Sequence, residues 1–413
     1  MKQSGVPWLK DIPSNWNVER GKNVLVLQKR PVRESDEVVT CFRDGEVILR
    51  SLRRTEGFTM SDKEIGYQGI NEGDIVIHGM DGFAGAMGVS KSTGKGSPVL
   101  VVCSPKYDAI PQYIIYYLRA LAMTDVFIAL ATGIRERSCD LRWNKISELE
   151  FILPSSAEQQ KIASFLDRKC SEIDEMIALQ EKIVEELKAY KQSVITEAVT
   201  KGLNPDVPMK DSGIEWIGEI PEHWEILPHK RIMRKIKEIQ EHYNGENIIS
   251  LTMKGVIVRD LEAGGKMPAT FDGYQRVYPN NLLQCLFDID VTPRCVGLIK
   301  EYGLTSPAYS QFELFSNAYS PYYDYLLRYM DDIKAMLHLS KNLRSSLTEA
   351  DFGAISTCVP PVCEQKTIAE YLDTKCTEID NLISIKLSKI DSLKEYKKSI
   401  IYEYVTGKKE VIE

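Results

Sequence analysis

A helical segment occurs twice in this chain, and this repeat limits the possible folds more than any other feature. Residues Glu158–Asp174 and Glu364–Asp380 share eleven of seventeen residues at an offset of 206. Residues Leu187–Thr200 and Leu393–Thr406 share nine of fourteen at the same offset, where chance would give about one identity in each window. No gap opens between the two blocks, so the helix has the same length in both copies. A constant length is what a spacer requires.

Each repeated segment carries apolar residues in a heptad pattern that predicts a coiled-coil seam. The predicted seam residues are Leu166, Ile173, Met176, Ile183, Leu187, Tyr190, Val194, Leu372, Ile379, Leu382, Leu393, Tyr396 and Ile400. Polar Gln180 and Lys386 occupy the equivalent middle position of the two seams. A helix of about 44 residues spans roughly 65 Å, and one of that length does not leave its apolar stripe exposed. The pattern predicts that the two copies pair in antiparallel orientation.

The repeat also includes the region before each helix. Ser4–Trp16 and Ser212–Trp224 share six of thirteen residues, and their tryptophans and Ile-Pro pairs are typical of a packed lead-in. Short β-rich runs follow in the first unit, and amphipathic helices are predicted at Pro111–Thr132 and Ser320–Leu339. We predict two β-rich domains at residues 1–155 and 204–360, spacer helices at 156–203 and 361–406, and a tail at 407–413.

Composition indicates an ordinary globular protein without a strongly basic domain. The 413 residues carry a net charge of −7. Residues 1–155 contain 20 Lys and Arg against 19 Asp and Glu, and residues 211–360 contain 15 against 20. Binding to DNA would therefore depend on local patches or on a basic partner. Neither a signal peptide nor a run of eighteen apolar residues is present, and the nine cysteines form no CxxC, so we expect a cytoplasmic protein without a membrane partner.

A Gly-rich stretch around residues 79–98 fails the pattern of a phosphate-binding loop. Lys95 is followed by Gly96, whereas a P-loop lysine is followed by Ser or Thr. Leu304 stands at the matching position of the second unit, while Lys91 and Lys300 occupy equivalent positions. We therefore expect β-turns, with the retained lysines available for a backbone contact or simply solvated.

The sequence lacks recognisable catalytic motifs. It contains no Walker motif, no HExxH, no Asn-Pro-Pro-aromatic tetrad and no Cys/His cluster at metal-binding spacing. None of its five histidines has a counterpart in the other repeat. A catalytic group in a duplicated unit would normally occur twice. The chain is therefore predicted to be non-catalytic, without a metal or cofactor of its own.

The doubled motifs SGxxWxxxIPxxW, EQxxIAxxLDxKCxEID and LKxYKxS closely resemble those of the specificity subunit of type I restriction–modification systems, over nearly the whole chain. The resemblance implies an α+β fold in which two β-rich target-recognition domains are held apart by two long antiparallel coiled-coil helices with pseudo-twofold symmetry. It further implies that the helices dock two modification subunits, which are adenine-N6 methyltransferases that use S-adenosylmethionine. Restriction/translocase subunits, which use ATP and Mg²⁺, would join for cleavage.

Two unlike recognition domains at a fixed separation would read an asymmetric bipartite target in double-stranded DNA. Arg and Lys side chains contact base edges and phosphates, and a solvated surface charge is the alternative for each candidate. The candidate DNA-binding residues are Arg53, Arg54, Lys91, Arg135, Arg137, Lys254, Arg294, Lys300, Lys341 and Arg344.

Two other functions are compatible with parts of the sequence. The acidic balance fits a coiled-coil adaptor with two ligand-binding modules and no role on DNA, which neighbouring genes would distinguish. An enzyme such as a methyltransferase fused to a recognition domain would need cofactor motifs that the sequence lacks.

Overall fold

The computed structural model describes residues 1–53, 65–106, 108–129, 141–264, 268–292, 294–337 and 345–412. Contacts among them divide the chain into two units. Unit 1 comprises Met1–Glu181 and Leu387–Glu413, and unit 2 comprises Lys182–Lys386. Each unit therefore contains one β-rich region and parts of both long helices. The fold is α+β, as the sequence predicted.

The strands of the first β-rich region are β1 (Lys2–Val6), β2 (Leu9–Ile12), β3 (Asn17–Arg20), β4 (Leu25–Leu27), β5 (Val39–Cys41), β6 (Val47–Leu49), β7 (Gln68–Ile70), β8 (Ile75–His78), β9 (Met87–Val89), β10 (Gly94–Gly96), β11 (Leu100–Pro105) and β12 (Glu150–Leu153). Its helices are α1 (Gly21–Val24), α2 (Pro111–Met123), α3 (Val126–Ala129) and α4 (Trp143–Ile146), with 3₁₀ turns at Arg50–Leu52 and Gly82–Ala84. The first long helix, α5 (Ser156–Lys201), follows.

The strands of the second β-rich region are β13 (Met209–Asp211), β14 (Glu219–Pro221), β15 (Glu225–Pro228), β16 (Met233–Ile236), β17 (Ile249–Thr252), β18 (Gly255–Val258), β19 (Gln275–Val277), β20 (Leu282–Gln284), β21 (Val296–Leu298), β22 (Gly303–Thr305), β23 (Ser310–Leu314) and β24 (Ser356–Val359). A 3₁₀ turn spans His229–Arg231, and the helices are α6 (Ser320–Asp332), α7 (Glu349–Ala354) and the second long helix α8 (Val362–Val405).

Both units have the same strand topology. The central antiparallel sheet has the order β4-β11-β8-β9 in unit 1 and β16-β23-β20-β21 in unit 2. The antiparallel pairs β1–β2, β3–β12, β5–β6 and β7–β10 of unit 1 correspond to β13–β14, β15–β24, β17–β18 and β19–β22 of unit 2. The sequence repeat is therefore also a structural repeat.

Each unit buries part of α5 against part of α8. In unit 1 the rings of Phe165 and Tyr404 lie 4.5 Å apart, and Asp174 pairs with Lys397 at 2.6 Å. Within unit 2, Lys191 pairs with Asp380 at 2.6 Å. Early residues of one helix thus meet late residues of the other, so the two helices run antiparallel within each unit.

The buried seam leaves out four of the thirteen predicted seam residues. Leu166, Ile173, Val194, Leu372, Ile379 and Ile400 are buried, while Ile183, Leu187 and Leu393 are half-buried. The other predicted seam residues are 43–57% exposed, namely Met176, Tyr190, Leu382 and Tyr396. The alternate seam position instead holds Cys170, Ile177, Val184, Cys376, Ile383 and Ile390, which are buried or half-buried.

This difference has a geometric cause. On a helix, the residues three and four positions beyond a seam residue both lie near the same face. Apolar residues occur in both sets, so the sequence pattern could not show which set meets the partner helix. Packing buries the apolar residues at four positions, whereas those at three positions, apart from half-buried Ile183, form a second, exposed apolar face.

The predicted helices Pro111–Thr132 and Ser320–Leu339 are shorter than expected, because α2 ends at Met123 and α6 at Asp332. Asp125 and Lys334, which are 209 residues apart, both adopt positive φ angles of 58° and 52°. A left-handed residue ends an α-helix, so the same backbone turn stops both helices. None of the described helices is long and apolar enough to cross a membrane.

Candidate nucleic-acid interface

The repeated glutamate and glutamine at the start of each long helix hold the β-rich regions in place. The indole N–H of Trp16 donates to Glu158 Oε1 at 3.0 Å, and that of Trp224 donates to Glu364 Oε2 at 2.9 Å. Both indoles are buried. The predicted packed lead-in therefore has a specific polar anchor as well as apolar contacts.

The adjacent glutamine, present in both copies, joins the helix to the loop before α2 or α6. Gln159 Oε1 accepts from the backbone N–H of Ile110 at 2.9 Å, and its amide donates to the Pro154 carbonyl at 3.0 Å. In unit 2, Gln365 Oε1 accepts from the Tyr319 N–H at 2.7 Å. The glutamine of the repeated EQ pair therefore positions a neighbouring helix.

The repeated tyrosines fix α2 and α6 to the long helices. The hydroxyl of Tyr113 lies 3.2 Å from the carbonyl oxygen of Val405, and Tyr322 donates to the Val199 carbonyl at 2.9 Å. Burial raises the pKa of both tyrosines well above its ordinary value, so they remain protonated. These aromatic rings are core residues and do not form a surface on which bases could stack.

Tyr116 and Tyr325 make a second repeated contact of this kind. Their hydroxyls donate to Asp167 and Asp373, each at 2.8 Å. The aspartates belong to the repeated LDxK motif, which thus has a structural role in both units. The residues that the repeats share are used to attach each β-rich region to the helices.

Two candidate DNA-binding residues of unit 1 lie in an ion-pair network at the β5–β6 hairpin. Arg53 pairs with Asp44 and with Glu46, and Lys91 pairs with Glu46 at 3.0 Å. The guanidinium of Arg53 also lies 4.2 Å from the ring centre of Phe42. The hydrogen bond that Arg53 donates to Asp44 holds the pKa of the Asp44 carboxyl below its ordinary value. Local acids therefore neutralise these cations.

A guanidinium supports the tip of the hairpin in each unit. In unit 1, Arg119 of α2 donates to the Asp44 carbonyl. In unit 2, Arg294 donates to the Met253 carbonyl at 3.3 Å and to the Val296 carbonyl at 2.9 Å. Arg294 is half-buried, and burial lowers its pKa. This predicted DNA-binding residue therefore contacts the protein's own backbone.

Two candidate residues of unit 2 have free ammonium groups. Lys254, at the tip of the β17–β18 hairpin, and Lys300, after β21, are exposed and form no ion pair with any residue that the structure describes. Arg328, Arg294 and Lys300 all act on the half-buried Asp324 carboxylate and oppose the rise in its pKa that burial causes. These cations therefore converge on one region of unit 2.

The remaining candidates, Arg54, Arg135, Arg137, Lys341 and Arg344, lie outside the described residues. Sequence reasoning missed Arg43, whose side chain is 72% exposed at the β5–β6 tip and pairs with Asp81 at 2.9 Å. The glycine at position 45, next to a β-rich run, could have indicated this turn. Among the described ranges, no group of His, Cys, Asp or Glu could hold a metal ion.

The chain is similar over 96% of its length to curated proteins of Methanocaldococcus jannaschii. It is 24% identical over 431 residues to the putative type I restriction enzyme MjaX specificity subunit, covering 94% of that protein. It is 25% identical over 425 residues to the type I restriction enzyme MjaVIII specificity subunit, covering 93%. No protein-family model matches the sequence.

Two solved structures share the fold. One chain comes from a study of complex assembly and conformational transition of the type I R-M system. It has a TM-score of 0.71 and 14% identity, and the match covers 96% of this chain and 99% of that one. The other is the HsdS subunit of Thermoanaerobacter tengcongensis, with a TM-score of 0.53, 12% identity and coverages of 96% and 98%.

Proposed function

Because this chain is a relative of the type I restriction specificity subunits, as its doubled motifs predicted, we propose that it is the DNA sequence-recognition subunit of a type I restriction–modification complex. In this proposal unit 1 and unit 2 each read one half of an asymmetric bipartite target in double-stranded DNA. The chain itself is non-catalytic. Methyltransferase subunits supply S-adenosylmethionine chemistry, and restriction/translocase subunits supply ATP- and Mg²⁺-dependent cleavage.

The main support for this proposal is that the two units share one strand topology but differ in the sequences of their exposed hairpins. The strand orders of the two units match pair for pair. By contrast, Val39–Leu49 and Ile249–Arg259, aligned at an offset of 210, share only a glycine. Anchoring residues are thus kept in both copies, while the exposed hairpins differ. This division supports two recognition domains with different half-sites.

The spacer role is supported by the two long helices. α5 and α8 contain 46 and 44 residues, and the same heptad positions are buried in both. In unit 1 Lys397 bonds to Asp174, and in unit 2 Lys191 bonds to Asp380, each within 2.7 Å. These repeat-equivalent ion pairs lie on the seam and oppose slippage of one helix along the other, which suits a spacer of fixed length.

The exposed apolar face of the helices is proposed as the docking surface for the methyltransferase subunits. In unit 1 it comprises Met176, Leu179 and Tyr396, and in unit 2 it comprises Leu382, Ile385 and Tyr190. These residues are 43–62% exposed. At the repeat offset of 206, Met176 corresponds to Leu382, Leu179 to Ile385, and Tyr190 to Tyr396. Two equivalent apolar faces support two equivalent partners, because such patches mark protein interfaces.

The docking part is tested by co-purification with the methyltransferase subunits. Leu179→Glu in unit 1 should lower the number of bound subunits from two to one, because a carboxylate cannot be desolvated in an apolar contact. Ile385→Glu should do the same in unit 2, and the double variant should bind none. Ser171→Glu on an exposed part of α5 is the control. Full binding by the double variant would rule out this surface.

The recognition role is tested by mapping adenine methylation in cells that express the complex. We expect one bipartite sequence with two different halves. One extra turn in both α5 and α8 adds about 6 Å, which is close to two base pairs of duplex. The gap should lengthen while both halves stay the same. Changed bases within a half-site would contradict the spacer role, and absence of methylation and DNA binding would favour the adaptor alternative.

Salt-dependent binding tests the candidate phosphate contacts. Lys254→Ala and Lys300→Ala should each reduce the slope of log affinity against log salt by about one, as loss of one phosphate contact does. Lys210→Ala, in β13 just before the lead-in of unit 2, serves as the control. The same assay applies to Arg54, Arg135, Arg137, Lys341 and Arg344. An unchanged slope removes a residue from the interface.

A further inference from the structure

The β17–β18 hairpin of unit 2 presents an apolar tip. Thr252 pairs with Gly255, which leaves Met253 and Lys254 as a two-residue turn. Met253 is 69% exposed, and Ile257 on β18 is 41% exposed. Val256, between the turn and Ile257, packs inward against the small core cluster that contains Leu283. The outward side of this ribbon therefore carries methyl groups, with one ammonium beside them.

This tip is held rigidly from below. Arg294 donates to the Met253 carbonyl and to Val296, and Gly255 has a φ of 103°. A Cβ atom at position 255 would lie 3.2 Å from Arg294 Nη2. The turn hydrogen bond from Lys254 N–H to Thr252 Oγ1 measures 3.1 Å. An exposed apolar tip with such support is preorganised for contact with a ligand.

The equivalent hairpin of unit 1 has the opposite chemistry. Its tip carries Arg43, which pairs with Asp81, and Asp44, which pairs with Arg53 in the network that includes Glu46. A guanidinium can donate to guanine O6 and N7, and a carboxylate can accept from cytosine N4. Among the described residues of the unit 2 tip, neither an arginine nor a carboxylate is available. The two tips therefore cannot read the same base pairs.

A two-stranded β-ribbon fits the major groove, where the thymine C5-methyl group is the apolar feature of the base edges. The exposed cations Lys254 and Lys300 lie in the same unit and suit the flanking phosphates. We propose that the β17–β18 hairpin of unit 2 reads its half-site through thymine methyl groups, which Met253 and Ile257 contact. This inference rests on the proposed DNA-recognition role and specifies the base chemistry of one half-site.

The test uses the complex with its methyltransferase subunits and the duplex identified by methylation mapping. A photo-crosslinking amino acid at position 254 identifies the half-site that unit 2 contacts. Thymines of that half-site are then replaced by deoxyuridine, which removes only the methyl group. Affinity should fall about fourfold for each contacted methyl, the equivalent of one buried CH₂. The same replacement in the other half-site should change affinity much less.

Protein variants test whether contacts of the β17–β18 hairpin cause this loss of affinity. In Met253→Ala, binding to the thymine duplex should weaken, and the difference between thymine and deoxyuridine duplexes should shrink to less than twofold. Val291→Ala removes a 74% exposed apolar side chain elsewhere in unit 2 and should retain the full difference.

The outcomes separate the two proposals. If the complex binds and methylates a bipartite target but tolerates deoxyuridine in the crosslinked half-site, the thymine inference is wrong and the recognition role stands. A crosslinked half-site without thymine, or a position 254 that crosslinks to no base, would likewise overturn the thymine inference alone. If the complex recognises no DNA sequence, the recognition role fails and the inference fails with it.

Discussion

The buried environment of His229 should make the stability of unit 2 depend on pH. This histidine is fully buried in unit 2, and its ring lies 4.6 Å from that of Phe352. Burial lowers its pKa to about 4, and neither ring nitrogen has a hydrogen-bond partner among the described residues. The folded protein therefore holds a neutral imidazole where unit 1 has Gly21.

Unit 2 should lose stability as the pH falls below the unfolded-state pKa of about 6.5. The unfolded chain takes up the proton first, so the folded state loses up to about 3 kcal/mol between pH 6.5 and 4. His229→Leu should flatten the pH dependence of the urea midpoint in this range. An unchanged dependence in the variant would show that other groups cause it.

Buried tyrosine hydroxyls should contribute to stability in both units. Tyr322→Phe leaves the Val199 carbonyl without its 2.9 Å donor, which should cost about 1–2 kcal/mol of unfolding free energy. Tyr113→Phe should have a similar effect in unit 1. Tyr396→Phe alters a ring that is 55% exposed and is the control. Equal stability of all three variants and the parent would contradict the anchoring role.

At the scale of elements, α5 and α8 each carry two sets of apolar residues on two different faces. One set forms the seam and contributes to the two cores, and the other lies on the exposed face. The seam includes Gln180, which is 8% exposed. Its Oε1 atom has no hydrogen-bond partner among the described residues. A buried polar residue in a seam lowers stability and can specify register.

Gln180→Leu should raise the free energy of unfolding by about 1 kcal/mol, because the desolvated amide oxygen is removed. Thermal denaturation would show this as a higher midpoint. Met176→Leu, at an exposed position of the same helix, should leave the midpoint unchanged. A lower midpoint for Gln180→Leu would mean that the amide contributes more to the helix pair than it costs.

At the scale of the whole molecule, each unit has its own main core. Leu166 and Ile400 belong to that of unit 1, and Val194 and Leu372 belong to that of unit 2. Each core includes residues from both long helices. A half-chain that ends after α5 would leave the core of unit 1 without its α8 residues.

Substitutions in the recognition surface of one unit should affect one half of the target. Met253→Ala should relax the bases read at one half-site and leave the bases of the other unchanged, because the two tips belong to separate units. Methylation mapping of the variant provides the measurement, and Lys210→Ala serves as the control. Altered bases in both halves would mean that the units do not act independently.

Much of this architecture followed from the amino-acid sequence. The duplicated motifs predicted two related units and two equal helices, and the β-rich runs predicted strands close to those observed at β4, β6, β8 and β11. These features depend on local periodicity and on residue identity, which a single chain displays directly. The lead-in tryptophans were likewise interpretable as packing residues.

The tertiary structure alone decided which residues meet. Met176 and Ile177 are both apolar, and only the packing of α8 assigns one to the surface and the other to the seam. Arg294 and Lys254 are both basic, yet a backbone carbonyl binds the first while the second is exposed. Periodicity determines the side of a helix on which a side chain lies. Its contacts depend on partners that are distant in sequence.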